Sequence, residues 1–235
     1  MTVVERSDAR VLQAVARYAT AGLQGADAVE IIRWAADSFA GRVVATQAMA
    51  NTTMSHLLTT HAPEIPIVFL DTGYHFPETL ATRDDLVTRT GAKLLTITPV
   101  QSVAEQDEQY GADLWARDPD LCCQLRKVLP MEESLIGYEA WITGLRVASS
   151  TSREEVPVVQ FDEKRGVLKI SPMLYWTDEQ LLQYTLEHDV PVNPLMYQGY
   201  PSIGCGPCTA RVEPGDDPRS GRWKGQDKIE CGLHT

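Results

Sequence analysis

Residues 65–76 read Ile65-Pro-Ile-Val-Phe-Leu70 and then Asp71-Thr72-Gly73-Tyr74-His75-Phe76. The first six are apolar, with β-branched and aromatic members, and too few for a helix. A polar turn ends the run abruptly, so it reads as a buried strand. Pro77 follows, and it suits the first turn of a helix running to about Arg89. The same alternation extends in both directions. Arg42–Thr46, Lys93–Thr98, Glu139–Thr143 and Val167–Ile170 are further short apolar strands. Helical patterns separate them, including one through Met54, Leu57 and Leu58. Upstream, Ser7 precedes a pattern at Val11, Leu12 and Val15, and Ala26–Ser38 is amphipathic. Downstream, Thr177 with Gln180 reads as a capping box opening a helix to about His188. Strands alternating with helices predict an α/β fold, a mostly parallel sheet with flanking helices. The expected division is 1–40 as N-terminal helices packed on the main domain, 41–204 as a nucleotide-binding α/β core that includes the Cys-Cys motif, and 205–235 as a Cys-x-x-Cys segment and a mobile, catalytic C-terminal tail.

Composition narrows the function. With 43% hydrophobic residues in 235, the chain can bury a sizeable core, and about two domains is the outer limit. No apolar run approaches the roughly 20 residues of a membrane span. The start, MTVVERSDAR, lacks the apolar stretch of a secretory signal. A cytoplasmic location without a membrane partner is therefore expected. The net charge of −11 argues against general nucleic-acid binding, which needs a basic footprint. The cations are unevenly placed, with Arg211, Arg219, Arg222 and Lys224 near the C-terminus and Arg126, Lys127 and Arg146 mid-chain. Local cationic spots in an acidic chain fit a small anionic substrate.

The cysteines divide four plus one. Cys122-Cys123 and Cys205-Gly-Pro-Cys208 supply four, and Cys231 stands alone near the end. In a reducing compartment such a set is metal-binding or catalytic more often than disulfide-forming. Taken alone, the second motif suits a redox dithiol, half a zinc site or half an iron–sulfur site. Adjacent cysteines on a helix point about 100° apart, which serves two corners of a bulky cluster better than one tetrahedral zinc. Arg126 and Lys127 lie four residues after Cys122 and Cys123, so each sulfur has a cation on its own helix face. A cluster held by four thiolates is anionic, and the cations favour a 4Fe–4S centre over zinc. Cys231 sits among polar residues, and a protonated His234, Arg219 or Arg222 could stabilise its thiolate while Glu230 would oppose it. It reads as a nucleophile.

Ligands of an open parallel sheet bind beyond the carboxyl ends of its strands. Three loops meet there. Gln47–Thr52 precedes a helix N-terminus, a natural anion site, although it lacks glycine. Leu70–Phe76 offers Asp71 as an acceptor for a ribose hydroxyl or an adenine amino group, or else as a helix cap. Thr143–Arg146 places Arg146 after a strand, where it could pair with phosphate or sulfate.

Taken together, VFLDTGYHFPET, SVAEQDEQYGADLWARDPDLCCQLRKV, WITGLR, PVNPLMYQGYPSIGCGPCTARVEPGDDPRSGRWKG and the terminal ECGLH resemble the assimilatory adenylyl-sulfate (APS) reductases within the wider PAPS/APS reductase family. The resemblance spans roughly residues 41 to 234. It implies an adenine-nucleotide α-hydrolase-like sheet related to ATP pyrophosphatases, and thioredoxin-dependent reduction of APS to sulfite and AMP in sulfate assimilation towards cysteine. It implies that Cys122, Cys123, Cys205 and Cys208 hold a 4Fe–4S cluster, that Lys127 lies between cluster and substrate, and that Cys231 is the nucleophile beside His234. Arg146, Arg219 and Arg222 would contact the phosphosulfate. Leu70, Asp71, Thr72 and Gly73 would hold the adenosine. Thr46, Asn51 and Thr52 occupy the position of the family's Ser- and Gly-rich phosphate loop, from which this chain departs. A thioredoxin or a glutaredoxin-like protein would be the reductant, and a homo-oligomer is left open. The rival readings are a PAPS reductase, an ATP pyrophosphatase such as a tRNA-thiolating enzyme, and a metal-bearing nucleotide sensor without turnover.

Overall fold

The structure is a computed structural model that describes residues 7–149, 156–228 and 230–233. Strand β1 (Val43–Thr46) lies at the centre of a six-stranded sheet. Beside it are β2 (Ile67–Leu70) and β4 (Ala140–Thr143), with β3 (Leu94–Ile97) and β6 (Val167–Ile170) beyond them. These five run parallel, with Val44 opposite Trp141 and Ala45 opposite both Ile67 and Ile142. An edge strand not anticipated from the sequence, β5 (Val159–Asp162), pairs antiparallel with β6. It presents Gln160 and Asp162 between apolar residues, and only its hairpin with β6 marks it as a strand. The full order is β3-β2-β1-β4-β6-β5. The order reverses at β1, so the loops after β1 and β4 diverge and leave a crevice at the carboxyl edge.

Alternation along the strands builds two apolar faces. Val43, Ala45, Ile67, Phe69, Ile142 and Ile170 face the larger core. That core is completed by α1 (Ala9–Gly22), α2 (Ala28–Ser38), α3 (Thr53–His61) and α9 (Asp178–Glu187). Each fully buried aliphatic side chain, such as Leu12 or Leu57, contributes roughly 1.5–3 kcal/mol. Val44, Val68, Trp141 and Val167 face the other way, towards Met131 and Leu135 of the 119–135 helical stretch. Leu233 of the C-terminal segment packs on this second face. The remaining helices are α4 (Pro77–Thr90), α5 (Val103–Tyr110), α6 (Leu114–Arg117), α7 (Pro119–Cys123) and α8 (Leu129–Ser134). No helix among the described residues is long and apolar enough to cross a membrane.

Candidate active site

The loop after β1 is built without glycine by a backbone exception. Met49 is fully buried at φ +55°, left-handed geometry that costs a non-glycine residue about 1 kcal/mol or more. A neighbouring segment holds the loop in that shape. Asn193, fully buried, donates from its backbone N to the Ala50 carbonyl at 2.9 Å and from Nδ2 to the Met49 carbonyl at 3.3 Å. Within the loop, Gln47 Nε2 donates to the Asn51 carbonyl at 2.9 Å, and Asn51 Oδ1 accepts from Thr53 N at 2.9 Å. Asn51 Nδ2 donates to Thr185 Oγ1 of α9 at 3.1 Å. Thr46 and Asn51 line a cleft of about 1150 Å³. Thr52 is fully buried and does not line it, because its hydroxyl donates to the Pro191 carbonyl at 2.7 Å. Thr52 therefore gives α3 no side-chain cap.

The exit of β2 divides the expected adenosine residues. Leu70 and Thr72 line the cleft, whereas Asp71 and Gly73 do not. Asp71 Oδ1 accepts from Gly73 N at 3.0 Å, the local turn that an aspartate before Thr-Gly favours. Gly73 sits at φ +73°, and a Cβ there would stand 3.1 Å from Arg126 Nη2. His75 was not singled out from the sequence, yet it lines the cleft. Its Nε2 lies 2.8 Å from the Leu70 carbonyl and so donates to it, which leaves the buried Nδ1 as an acceptor with no partner. Burial holds this imidazole below its ordinary pKa, so it is neutral.

The four paired cysteines converge. Helix α7 passes into a π-helical turn (Gln124–Val128) and then into α8. Widened turns of this kind are common at functional sites. Cys122, Cys123, Cys205 and Cys208 line one small hollow with Tyr74, Trp115, Pro119, Pro207, Arg126 and Lys127. Burial, then the neighbouring sulfurs, pushes the Cys122 thiol up to about 12 and the Cys208 thiol to about 11. Burial likewise raises Cys123, against the pull of Lys127. Thiols that resist ionising one beside another need a bound cation to charge them. The donor set is sulfur alone, which suits a thiophilic metal centre. Among the described residues, no three His, Cys, Asp or Glu side chains are grouped to hold a metal ion. The four sulfurs instead line one common hollow. Thr72 Oγ1 lies 3.3 Å from Cys205 Sγ and joins this hollow to the cleft.

Lys127 lines both spaces. Its burial disfavours the charge, but Cys205, Cys231 and Cys123 outweigh that and hold its pKa above the ordinary lysine value. Cys231 lines the same cleft, half-buried, with Arg146, Arg219 and Arg222. Arg146 is oriented by Asp178 Oδ1 at 2.7 Å and by the Trp176 carbonyl at 3.1 Å. Arg219 pairs with Glu230 at 3.2 Å, which draws that carboxylate to an arginine beside the thiol. Arg222 is brought in by short pairing of residues 209–210 with 221–222, where Ala210 N donates to the Gly221 carbonyl at 2.8 Å. A Cβ at Gly221 would collide with the Ala210 carbonyl oxygen at 2.2 Å. Burial lowers the Arg222 pKa, the Cys231 sulfur acts against that, and Arg222 Nε is buried without a hydrogen-bond partner. Among the described residues neither Lys127 nor Arg222 has a carboxylate within ion-pair distance. His234 lies outside the described residues. The cleft thus joins one thiol, two carboxylate-free cations and an adjacent sulfur cage. No local pattern marks Asn193, because its contacts are with residues more than a hundred positions away.

Residues 43–211 match the family described as "Phosphoadenosine phosphosulfate reductase domain". The chain is 51% identical to the adenosine 5'-phosphosulfate reductase of Streptomyces coelicolor over the full length of both. Among solved structures it resembles the phosphoadenylyl-sulfate (PAPS) reductase of Candida auris, with a TM-score of 0.74 and 28% identity over 89% of this chain and 99% of that one. The FMN adenylyltransferase of Candida glabrata shares the fold alone, at a TM-score of 0.54 and 13% identity over 96% of this chain and 88% of that one. That likeness agrees with the adenine-nucleotide α-hydrolase-like sheet expected from the sequence. With more than half of its length matched by the family and a full-length relative at 51% identity, the chain belongs to the phosphoadenosine phosphosulfate reductase domain family.

Proposed function

We propose that the chain reduces adenosine 5'-phosphosulfate to sulfite and AMP, with Cys231 as the nucleophile. The observation that carries this is the meeting of Cys231, Lys127 and Arg222 in one cleft. The Streptomyces relative named for this reaction supports the choice of nucleotide. In the first step the Cys231 thiolate attacks the sulfur of the sulfate group, the bond from that sulfur to the bridging oxygen breaks, and AMP leaves with the electron pair. An S-sulfonated cysteine remains. A dithiol reductant, a thioredoxin or a glutaredoxin-like protein, then attacks Cys231 Sγ and expels sulfite. Its second thiol resolves the mixed disulfide and returns Cys231. The dithiol supplies both electrons, and one hard step becomes two easier ones. Lys127 and Arg222 bind the phosphosulfate and stabilise the charge that moves onto the leaving phosphate. Arg146 and Arg219 are assigned to the same anion, and His234 to the thiolate.

The four paired cysteines are proposed to hold a 4Fe–4S cluster, with about four irons per chain expected in brown, anaerobically purified protein. When bound, the cluster supplies negative charge beside Lys127. The segment from about Gly215 to Thr235 is proposed to open and reclose between the two steps, as lids do.

Mixing the protein with APS and no thiol tests the reading. A sulfonate mass should appear on the Cys231 peptide, and Cys231→Ser should release no sulfite while retaining iron and AMP binding. Sulfonation of another cysteine, or turnover by the variant, would refute it. A parallel assay with PAPS decides the nucleotide, since equal or faster turnover of PAPS would assign the chain to that substrate.

A further inference from the structure

Cys231 lies between two anchors. On its N-terminal side the chain is tied to the sulfur cage. Trp223 N donates to the Cys208 carbonyl at 3.1 Å, and Gln226 Nε2 reaches the carbonyls of Trp115 and Ala116, both at 3.4 Å. Lys228 meets Asp120 of α7, and its Nζ stands 5.6 Å from the Trp223 ring centroid. These contacts adjoin both cysteine motifs.

On the C-terminal side the anchor comes from elsewhere. Arg165 Nη2 donates to the Gly232 carbonyl at 3.2 Å. Arg165 belongs to the turn between β5 and β6. Because β6 is parallel to β4, that turn lies at the amino edge of the parallel strands, opposite the nucleotide loops. Asp162 fixes the arginine, with Oδ2 2.7 Å from Nη1 and Oδ1 accepting from the Arg165 backbone N at 3.0 Å. Leu233 completes the anchor by packing on the Val44, Val68 and Trp141 face. The reactive sulfur is thus strung across this face of the sheet, between the cage at one end and the edge hairpin at the other.

We propose that Arg165 is a positioning residue for Cys231. By holding the carbonyl of the next residue it fixes the peptide that aims Sγ into the cleft, with Leu233 as its apolar complement. This rests on the reading of Cys231 as the reacting sulfur. The edge hairpin thereby gains a task in the chemistry.

The full chain carrying Arg165→Gln, Leu233→Ala or Arg165→Lys tests this with two readouts. The first is alkylation of Cys231 by iodoacetamide without nucleotide, mapped by peptide mass. Arg165→Gln and Leu233→Ala should each speed it about fivefold, the equilibrium factor of one net hydrogen bond or a comparable contact. Arg165→Lys, which keeps a charged donor, should recover part of the difference. The second is transfer of sulfonate from APS to Cys231 in a single turnover without thiol. It should slow about fivefold in the same two variants, while AMP affinity stays within about twofold. Unchanged alkylation in both variants overturns the anchor. Faster alkylation with unchanged sulfonation overturns the aiming role. Should Arg165→Gln disturb the hairpin, Leu233→Ala leaves it intact and decides. A wild-type chain that takes no sulfonate from APS would count against the proposed reaction, and the alkylation readout would still judge the anchor.

Discussion

Arg222 occupies space that only glycine at position 204 leaves open. A Cβ at Gly204 would stand 2.2 Å from Arg222 Nη2 and 2.5 Å from Cζ. The guanidinium lies over the Trp223 ring at 4.5 Å, and Nη1 donates weakly to Ser202 Oγ at 3.4 Å. Its burial is therefore enforced by sterics and stacking, and among the described residues no carboxylate lies within ion-pair distance of it. Arg222→Ala should lower kcat/KM for APS by about tenfold or more, as loss of a charge-assisted contact of roughly 1.5–3 kcal/mol implies. Gly204→Ala should reproduce much of that loss without touching a charge, because the methyl displaces the guanidinium. Steady-state kinetics on the two variants check this, and a silent Gly204→Ala would show that Arg222 works from another rotamer. The cation itself was legible in the sequence. Its glycine cradle was not, since the two meet only after residues 209–210 pair with 221–222.

At the scale of elements, β4 enters the sheet through a buried carboxylate. Glu139, 2% exposed, accepts from Ser7 N and Oγ, both at 2.7 Å, and from Arg42 Nη1 at 2.5 Å. It ties the segment leading into α1 to the starts of β1 and β4. Burial alone would raise its pKa, but the Ser7 hydrogen bonds and the Arg42 charge prevail and hold it below 4.5. A depressed carboxylate contributes stability above its unfolded pKa and loses it as pH falls through the folded value. Glu139→Gln should therefore cost about 1.5–3 kcal/mol at neutral pH. The gap from wild type should narrow as the pH drops below 4.5. Urea melts at several pH values test it, and a gap that stays constant into acid would place the effect in packing. Most elements were legible from local pattern. The capping box at Thr177 and Gln180 forms as read, and α9 spans Asp178–Glu187. Strand Val167–Ile170 forms as expected, whereas the other four expected strands lose a residue or two at their ends, as at Ile65 and Lys93, because pairing with a neighbour sets where a strand stops. Strand β5 was missed because an edge strand needs no continuous apolar run.

For the whole molecule, the cleft is closed on one side by residues from the far end of the chain. Cys231, Glu230 and Leu233 line it together with Thr46 and Gly144 from the sheet loops. A nucleotide in the cleft should therefore stabilise the seated segment by mass action. Saturating AMP should slow tryptic cleavage after Arg219, Arg222, Lys224 and Lys228 by several-fold, the protection a closing lid affords its own backbone. Mass spectrometry of timed digests reads this directly. Equal cleavage with and without AMP would mean that the nucleotide does not engage the tail.

Local chemistry is carried by residue type and spacing, and to that extent the sequence alone decided a good deal. Short apolar strands between amphipathic helices settled the α/β class. The four-plus-one division of cysteines set four paired sulfurs apart from a lone thiol, and spacing put Lys127 beside Cys123, while only the structure shows Lys127 lining both the hollow and the cleft. Long-range contact decided the rest. Asp71 Oδ1 accepts from Gly73 N within its own turn, and the Thr52 hydroxyl donates to the distant Pro191 carbonyl. The glycine-free loop after β1 keeps its shape because Asn193, more than a hundred positions away, supplies the hydrogen bonds. The anchoring of Gly232 by Arg165 depends on a hairpin that no local periodicity announces. Spacing encodes what one element does by itself, whereas a donor and acceptor from distant segments are matched only when the sheet brings them together.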